Sequence, residues 1–182
     1  NYTARSAEIE AFNRANSVIR RGIALTPVKF GISFNTTFLN QAGALVHVYT
    51  DGSVHLNHGG TEMGQGLNTK VAQVVAHEFQ VDFDAVKITA TTTGKVPNTS
   101  ATAASSGTDL NGMAAQAAAR TIKERMRIHL AEQHQCAPDS VTFSNGKVRA
   151  GSAVMSFAEA VKSCYLGRVS LSATGFYATP KI

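Results

Sequence analysis

The stretch from residue 44 to residue 79 constrains the fold more than any other part of this chain. Asp51-Gly52 lies between two runs, 44–49 and 53–57, that alternate apolar and polar residues, the strongest short-range signal for a β-hairpin. The second run passes into His58-Gly59-Gly60-Thr61-Glu62-Met63-Gly64-Gln65-Gly66. Beyond it, Leu67, Val71, Val74, Val75 and Phe79 recur at helical spacing. A ribbon joined through a glycine-rich turn to an amphipathic helix buries its apolar side under that helix, which excludes an all-α or all-β design. If Asp51 and Gly52 are the whole turn, His47 faces Leu56 and His55 faces Val48. Period-2 alternation then puts His47 and His55 on opposite faces of the ribbon. Two such histidines share no metal ion, and structural or surface roles are expected of both.

The remaining segments extend the same architecture. Residues 6–21 read as a helix, with Glu8 and Glu10 in its first turns, an apolar side of Ile9, Phe12 and Ile19, and Gly22 after Arg20-Arg21. An extended stretch, 23–34, follows. Residues 86–92 are rich in β-branched residues and read as a strand. A polar stretch, 93–109, leads to a long helix of small residues whose buried side continues at Ile122, Met126 and Leu130. Asn145-Gly146 closes a second hairpin between 141–143 and 147–148. Ser156-Phe157-Ala158-Glu159 is a capping box opening a short helix through Val161, and 170–177 reads as a last strand. There is no internal repeat and no linker, so residues 1–182 are expected to form one domain. Its fold class is α+β: a two-layer α/β arrangement with a mixed sheet built from hairpins and helices covering one face.

Composition narrows the function classes. Hydrophobic residues make up 43% and charged residues 16%, enough for a packed core. No run approaches the roughly 20 apolar residues of a membrane span. The net charge of +5 is dispersed, and its densest group, Lys123-Glu124-Arg125-Met126-Arg127, reads as a solvated helix face rather than a nucleic-acid surface. Cys136 and Cys164 have no CxxC spacing, which suits a reducing cytoplasm and gives no zinc or iron–sulfur signature. No metal ligand set is expected.

Two segments carry possible chemistry. In the turn 59–66, four of eight residues are glycine, which opens the backbone to a ligand, and N–H groups at the following helix start favour an anion. The spacing fits neither the GxGxxG fingerprint nor a P-loop, and a merely tight connection accounts for the glycines equally well. The Gln65 amide suits a heterocycle with mixed edges. Glu62 has no basic or acidic neighbour in sequence to make it a general base, and a carboxylate bonded to loop amides is expected. The second segment, Thr99-Ser100-Ala101-Thr102-Ala103-Ala104-Ser105-Ser106-Gly107-Thr108-Asp109, is ordinary N-cap material that also makes a second anion site. Two small-residue loops ahead of helices suggest one extended anionic ligand held from both sides.

A resemblance rests on these residues and on others. Lys29-Phe30-Gly31-Ile32-Ser33-Phe34, Leu39-Asn40-Gln41-Ala42-Gly43-Ala44, Val48-Tyr49-Thr50-Asp51-Gly52-Ser53-Val54, residues 58–66, residues 96–105 and residues 168–177 resemble, in order, the molybdenum-binding part of the xanthine dehydrogenase and xanthine oxidase family. The resemblance implies a molybdenum-cofactor-binding-domain-like fold and a molybdopterin enzyme that hydroxylates a purine such as hypoxanthine or xanthine. Water supplies the oxygen, and electrons leave through 2Fe-2S clusters and FAD carried elsewhere. Met63, Gly64 and Gln65 match pterin contacts. Ala103, Ala104 and Ser105, with Thr108 after them, match the loop beside the molybdenum and the cofactor phosphate. Phe34 matches a purine-stacking ring, with Asn35 and Ala104 also at the substrate. Asn35 stands where vertebrate members have Thr, and Gly107 where some have Ser.

The family's Gly-Glu-Pro-Pro motif with its catalytic Glu, its Gly-Phe-Gly-Gly and Arg-Gly-Phe-Gly motifs and its cluster cysteines are not in these 182 residues. The expectation is therefore a segment of a longer enzyme that carries no catalytic residue of its own. Its partners are the remaining segments and the purine substrate, and alone it folds without activity. The alternative is a free-standing module for a nucleotide or other anion.

Overall fold

The computed structural model describes residues 1–28, 34–96, 99–103 and 105–180, and the chain divides into two compact units, Asn1–Gly31 and Ile32–Ile182. In the first, helix α1 (Tyr2–Ala15) begins where the Asn1 side chain accepts the Ala4 N–H. It stops well before Arg21, the end expected from sequence. Asn16 is extended (φ −126°, ψ 120°), and the Asn13 side chain instead exchanges two bonds with the Arg21 backbone, at 2.9 and 2.8 Å. The Arg21 guanidinium sits 3.7 Å from the Phe12 ring centroid. Side-chain-to-backbone bonding of this kind competes directly with another helical turn.

In the second unit, β1 (Gln41–Val48) and β2 (Val54–His58) form the expected hairpin, but its register is one residue from the expected one. His47 pairs with His55 and Val48 with Val54. The Gly52 N–H donates to the Tyr49 carbonyl (2.8 Å) and the Tyr49 N–H to the Ser53 carbonyl (2.9 Å), with Gly52 at φ +86°. This is a longer loop closed by a left-handed glycine, not a two-residue turn. His47 and His55 consequently share one face of the sheet.

The chain continues through α2 (Leu67–Phe79) to β3 (Val86–Ile88), which runs parallel to β2. The strand expected to reach residue 92 ends at Ile88. There the Asn57 side chain takes over from the ladder, donating to Thr89 Oγ1 at 3.1 Å and to the Ala90 carbonyl at 3.3 Å. Next come α3 (Gly107–Gln133), the meander β4 (Thr142–Ser144), β5 (Lys147–Ala150) and β6 (Ala153–Ser156), then α4 (Phe157–Leu166) and β7 (Ser172–Ala178). The main sheet has the order β3-β2-β1-β7, mixed as expected, with β7 antiparallel to β1. Asn145 and Gly146 both have positive φ, 49° and 72°, the type I′ geometry that joins β4 to β5. The capping box at α4 is complete: Ser156 N–H donates to Glu159 Oε2 (2.7 Å) and Glu159 N–H to Ser156 Oγ (3.2 Å).

Small residues decide how closely helix and sheet approach. Ala114, Ala115, Ala118 and Ala119 of α3 are fully buried, followed by Ile122, Met126 and Leu130. Opposite them a Cβ at Gly175 of β7 would collide with the Ala114 carbonyl oxygen and stand 2.6 Å from the Ala118 nitrogen. The helix backbone therefore rests on the strand, where many short dispersion contacts replace the bulk of larger side chains. Phe79, Phe157 and Phe143 extend the core toward the meander, with centroids 5.6 and 6.4 Å apart in sequence.

The basic group on α3 is not the solvated face expected. Lys123 Nζ binds Glu78 Oε1 at 3.1 Å, Arg120 Nε binds Glu78 Oε2 at 3.2 Å, and Arg125 donates to the Ser170 and Ser172 carbonyls. Burial raises the Glu78 carboxyl, but bonding and charge from Lys123 and Arg120 outweigh it and hold the group below its ordinary value. Cys136 and Cys164 are free thiols, and burial pushes Cys164 up to about 12. Among the described residues, no helix is long and apolar enough to cross a membrane.

Gly175→Ala should destabilise the protein by roughly 1–3 kcal/mol in urea unfolding, through overpacking against the α3 backbone. Gly112→Ala on α3, where a Cβ would meet only Val74 Cγ2 at 3.6 Å, should instead be neutral or stabilise by up to about 1 kcal/mol. Equal effects at the two sites would contradict the close-packing account.

Candidate functional site

The turn after β2 is rooted by its own backbone. The Gly60 N–H donates to Nδ1 of the buried His58 (3.1 Å), and the Thr91 hydroxyl donates to the carbonyls of His58 (3.0 Å) and Gly60 (3.3 Å). Gly59 lies against Thr99 so closely that a Cβ there would run into the threonine side chain. Farther along, Glu62 folds onto the start of α2. Its Oε1 accepts the Gly64 and Gly66 N–H groups at 3.0 Å each, and its Oε2 accepts the Asn68 N–H at 2.9 Å. These backbone bonds, that from Asn68 foremost, hold the carboxyl below its ordinary value. The amide role expected for Glu62 is thus observed. One consequence differs from expectation: the first N–H groups of α2 are taken by the chain's own carboxylate and are not open to an external anion.

Gln65 also bonds inward. Its Oε1 accepts the Met63 N–H (2.6 Å) and its Nε2 donates to the Thr61 carbonyl (2.9 Å).

The second small-residue loop docks directly on the first. The Thr61 N–H donates to Thr102 Oγ1 at 2.8 Å, and Thr99 Oγ1 accepts the Gly43 N–H at 3.1 Å. Ser106, at the N-cap of α3, makes no side-chain cap bond, and its hydroxyl donates to the Ala103 carbonyl (2.8 Å). Ser105 holds φ +57°, an uncommon conformation for a residue with a side chain, of the kind that recurs at ligand sites.

Between the loops lies a cavity of about 350 Å³. Met63 and Gln65 line it from the first loop, Leu67 and Lys70 from α2, Thr102, Ala103 and Ser105 from the second loop, and Gly107 and Thr108 from α3. The structure therefore brings Met63, Gln65, Ala103, Ser105 and Thr108 to one place. Gly64 keeps to the first loop with its N–H on Glu62, and Ala104 is outside the described residues. Neither Phe34 nor Asn35 lines the cavity. Phe34 is half-buried with its carbonyl accepting from Asn40 Nδ2 at 2.8 Å, and Asn35 is exposed.

Sequence reasoning missed Lys70 and Leu67 as lining residues, and it placed Thr102 and Gly107 in the second loop without singling them out as contacts. Lys70 was legible in principle, since it stands one helical turn beyond Gly66 and so points back over the glycine turn. Among the described residues it is the one charged side chain lining the cavity. The start of a 27-residue helix, without a side-chain cap from Ser106, adds its dipole to that charge and favours an anion, with Asp109 of the same first turn acting against it.

A broader depression of about 470 Å³ lies between the end of α2 and the Asn145-Gly146 turn, but it has neither an uncapped helix start nor a cation. His47 and His55, now on one face, are not joined by a third ligand: among the described residues, no group of three or more His, Cys, Asp or Glu is placed to hold a metal. His55 Nε2 lies 3.0 Å from Thr89 Oγ1, and burial, then the charges of Lys95 and His47, keep this ring below its ordinary pKa.

Comparison with known proteins gives the family and the fold. The family model of the molybdopterin cofactor-binding domain matches residues 1–182. The chain is 48% identical over 181 residues to xanthine dehydrogenase/oxidase of Mus musculus and 46% identical over 182 residues to xanthine dehydrogenase of Dictyostelium discoideum, in each case across 100% of its length. It is 49% identical over 179 residues, 98% of its length, to xanthine dehydrogenase of Oryza sativa subsp. japonica. It spans 12% of the length of each of these relatives. Among solved structures, quinoline 2-oxidoreductase from Pseudomonas putida 86 matches 78% of this chain with 19% of its own, at a TM-score of 0.70 and 25% identity. Cu,Mo-CO dehydrogenase matches 79% with 19% of its own, at a TM-score of 0.70 and 23% identity, a likeness of fold.

Glu62→Gln should speed amide exchange at Gly64, Gly66 and Asn68, because one carbonyl oxygen replaces two anionic acceptors. In the unsubstituted chain the carboxylate clamp should be complete above the ordinary value of 4.5. It should be lost only as pH falls through the lower folded-state value. Unchanged protection at these three amides, after correction for intrinsic exchange, would remove Glu62 from this role.

Proposed function

The chain belongs to the molybdopterin cofactor-binding domain family, and from that premise we propose that it forms one lobe of the active site of a molybdenum hydroxylase acting on purines of the hypoxanthine and xanthine class. The observation that carries the proposal is the docking of the two loops, Thr61 N–H on Thr102 Oγ1, around a cavity that is lined by Lys70 and by the start of α3, which Ser106 does not cap. A flat heterocycle with an anionic tail needs such a place: small residues for close approach, hydroxyls and amides for its edges, and positive potential for its phosphate.

The residues present fit the group. Met63, Gly64 and Gln65 would hold the pterin, and Ala103, Ala104, Ser105 and Thr108 would lie along its molybdenum and phosphate side, with Lys70 adding charge. When bound, molybdopterin supplies a two-electron oxidation in which a ring C–H becomes a hydroxyl with oxygen from water, releasing two protons and two electrons. Everything else this chain does is positional. The α3 start and Lys70 bind the anionic end, while the inward bonds of Gln65 keep the loop in shape before any ligand arrives.

Phe34 and Asn35 are proposed substrate neighbours, with the Phe34 ring stacking on the purine. We assign no catalytic residue to this chain. The catalytic carboxylate, the 2Fe-2S clusters and the FAD belong to the remaining segments of the enzyme, which are its partners, and neither nucleic acid nor a membrane is among them. We take residues 1–182 as part of a single cofactor-binding domain. Two free cysteines suit a cytoplasmic location.

In the full-length enzyme, Gln65→Ala removes a cavity wall together with the bonds to Met63 and Thr61. The unsubstituted enzyme should form urate from xanthine. The variant should lose molybdenum and pterin, with urate formation falling in parallel. Full cofactor content and turnover in the variant would contradict the placement of Gln65, and an unsubstituted enzyme that carries pterin but leaves purines unchanged would contradict the substrate class.

A further inference from the structure

We infer that His58 is a positioning residue for the cofactor-holding turn: its neutral imidazole fixes the path of residues 59–66 by accepting the Gly60 N–H at Nδ1. The inference rests on the reading of the cavity as a pterin site. His58 closes β2 and is 1% exposed. A backbone N–H bonds only to an unprotonated ring nitrogen, so the 3.1 Å contact with Gly60 requires the neutral tautomer with its proton on Nε2. That Nε2 makes no bond of full hydrogen-bond geometry among the described residues, although the Asn68 side chain of α2 lies close enough to act on the ring. A buried donor without such a bond opposes folding, and a side chain chosen only to fill this space would be apolar. The acceptor at Nδ1 is what the imidazole adds.

Its position gives the bond leverage. Gly60 has no room to shift inward, since a Cβ there would stand 2.7 Å from Asn111 Nδ2, and its carbonyl is held by Thr91. The next residue is Thr61, whose N–H docks on Thr102 and joins the two loops. A change of direction at Gly60 therefore passes straight to the contact that closes the cavity. Burial is the main influence keeping the ring neutral. The Asn68 side chain of α2 and the charge of Glu62 act in the opposite sense, and of these two only Glu62 ionises.

The test uses the full-length enzyme with His58→Leu, which removes the acceptor, and His58→Asn, whose Oδ1 restores an acceptor at the position of Nδ1. Three quantities are read: hydrogen–deuterium exchange of the peptide spanning residues 59–66, bound pterin after oxidative release, and the thermal midpoint. His58→Leu should leave the midpoint within a few degrees, speed exchange across the turn and lower pterin retention by about tenfold or more, the scale typical of residues that support a ligand shell. His58→Asn should keep slow exchange and most of the pterin. At acid pH it should also keep slow exchange at Gly60 and Thr61, whose amides Glu62 does not hold, where the unsubstituted enzyme loses that protection as its imidazole protonates.

Slow exchange and full pterin in His58→Leu would overturn the inference. So would a His58→Asn variant that exchanges as fast as His58→Leu, or one that follows the unsubstituted pH profile. If His58→Leu does not fold, the pH comparison between His58→Asn and the unsubstituted enzyme decides alone. An unsubstituted enzyme without pterin would contradict the functional reading, while exchange across residues 59–66 would still decide the role of His58.

Discussion

The closeness of α3 to the sheet is the constraint from which the site follows. Four buried alanines on the helix face a glycine on β7, so backbone meets backbone with almost no side chain between them. A helix held at that distance has its start fixed in position as well as its direction. The start of α3 carries Gly107 and Thr108, and they share a cavity with Leu67 and Lys70 at the start of α2. The loops leading into the two helices consequently meet, and the contacts between them are as spare as those beneath: Gly59 against Thr99, and one hydrogen bond from Thr61 to Thr102. Larger residues at any of these points would separate the loops and flatten the cavity.

The two helix starts divide the electrostatic work. That of α2 is filled from within by Glu62, whose three backbone bonds shape the glycine turn. That of α3 has no side-chain cap from Ser106 and opens toward Lys70 and the hydroxyls of Ser105 and Thr108. One end is thereby spent on holding shape and the other is left to attract an anion. With Gln65 and His58 also bonded into the first loop, little ordering remains to oppose ligand binding, which is where preorganised sites gain affinity. The site is still one-sided: the chain spans 12% of the length of its relatives, and walls from other segments would have to complete the enclosure.

Local chemistry made much of this legible. Asn145-Gly146 dictated a type I′ turn, Ser156 and Glu159 dictated a capping box, and the spacing of Leu67, Val71, Val75 and Phe79 gave a buried helix face. The expected cofactor residues Met63, Gln65, Ala103, Ser105 and Thr108 share one cavity. What failed to show in sequence depended on distant partners or on a choice between near-equal local options. Asp51-Gly52 serves a two-residue turn and a longer loop ending in a left-handed glycine equally well, and the bonds of Tyr49 select the longer one, moving His47 and His55 to one face. The basic run on α3 looks solvated until Glu78, on another helix, is found beside Lys123 and Arg120. Residues 6–21 carry a helical pattern, but Asn13 captures Arg21 and ends the helix early. Thr102 is one hydroxyl among many in its loop, and only the fold shows that it receives the Thr61 N–H.

The most direct measurement of the central claim is an experimental structure of the full-length enzyme with its cofactor in place. The anionic end of the pterin should lie within hydrogen-bonding distance of groups from both the 61–66 and the 102–108 loops, with the bond between Thr61 and Thr102 intact. A pterin lodged elsewhere, with both loops facing bulk water, would contradict the account even if every helix and strand were where they are described.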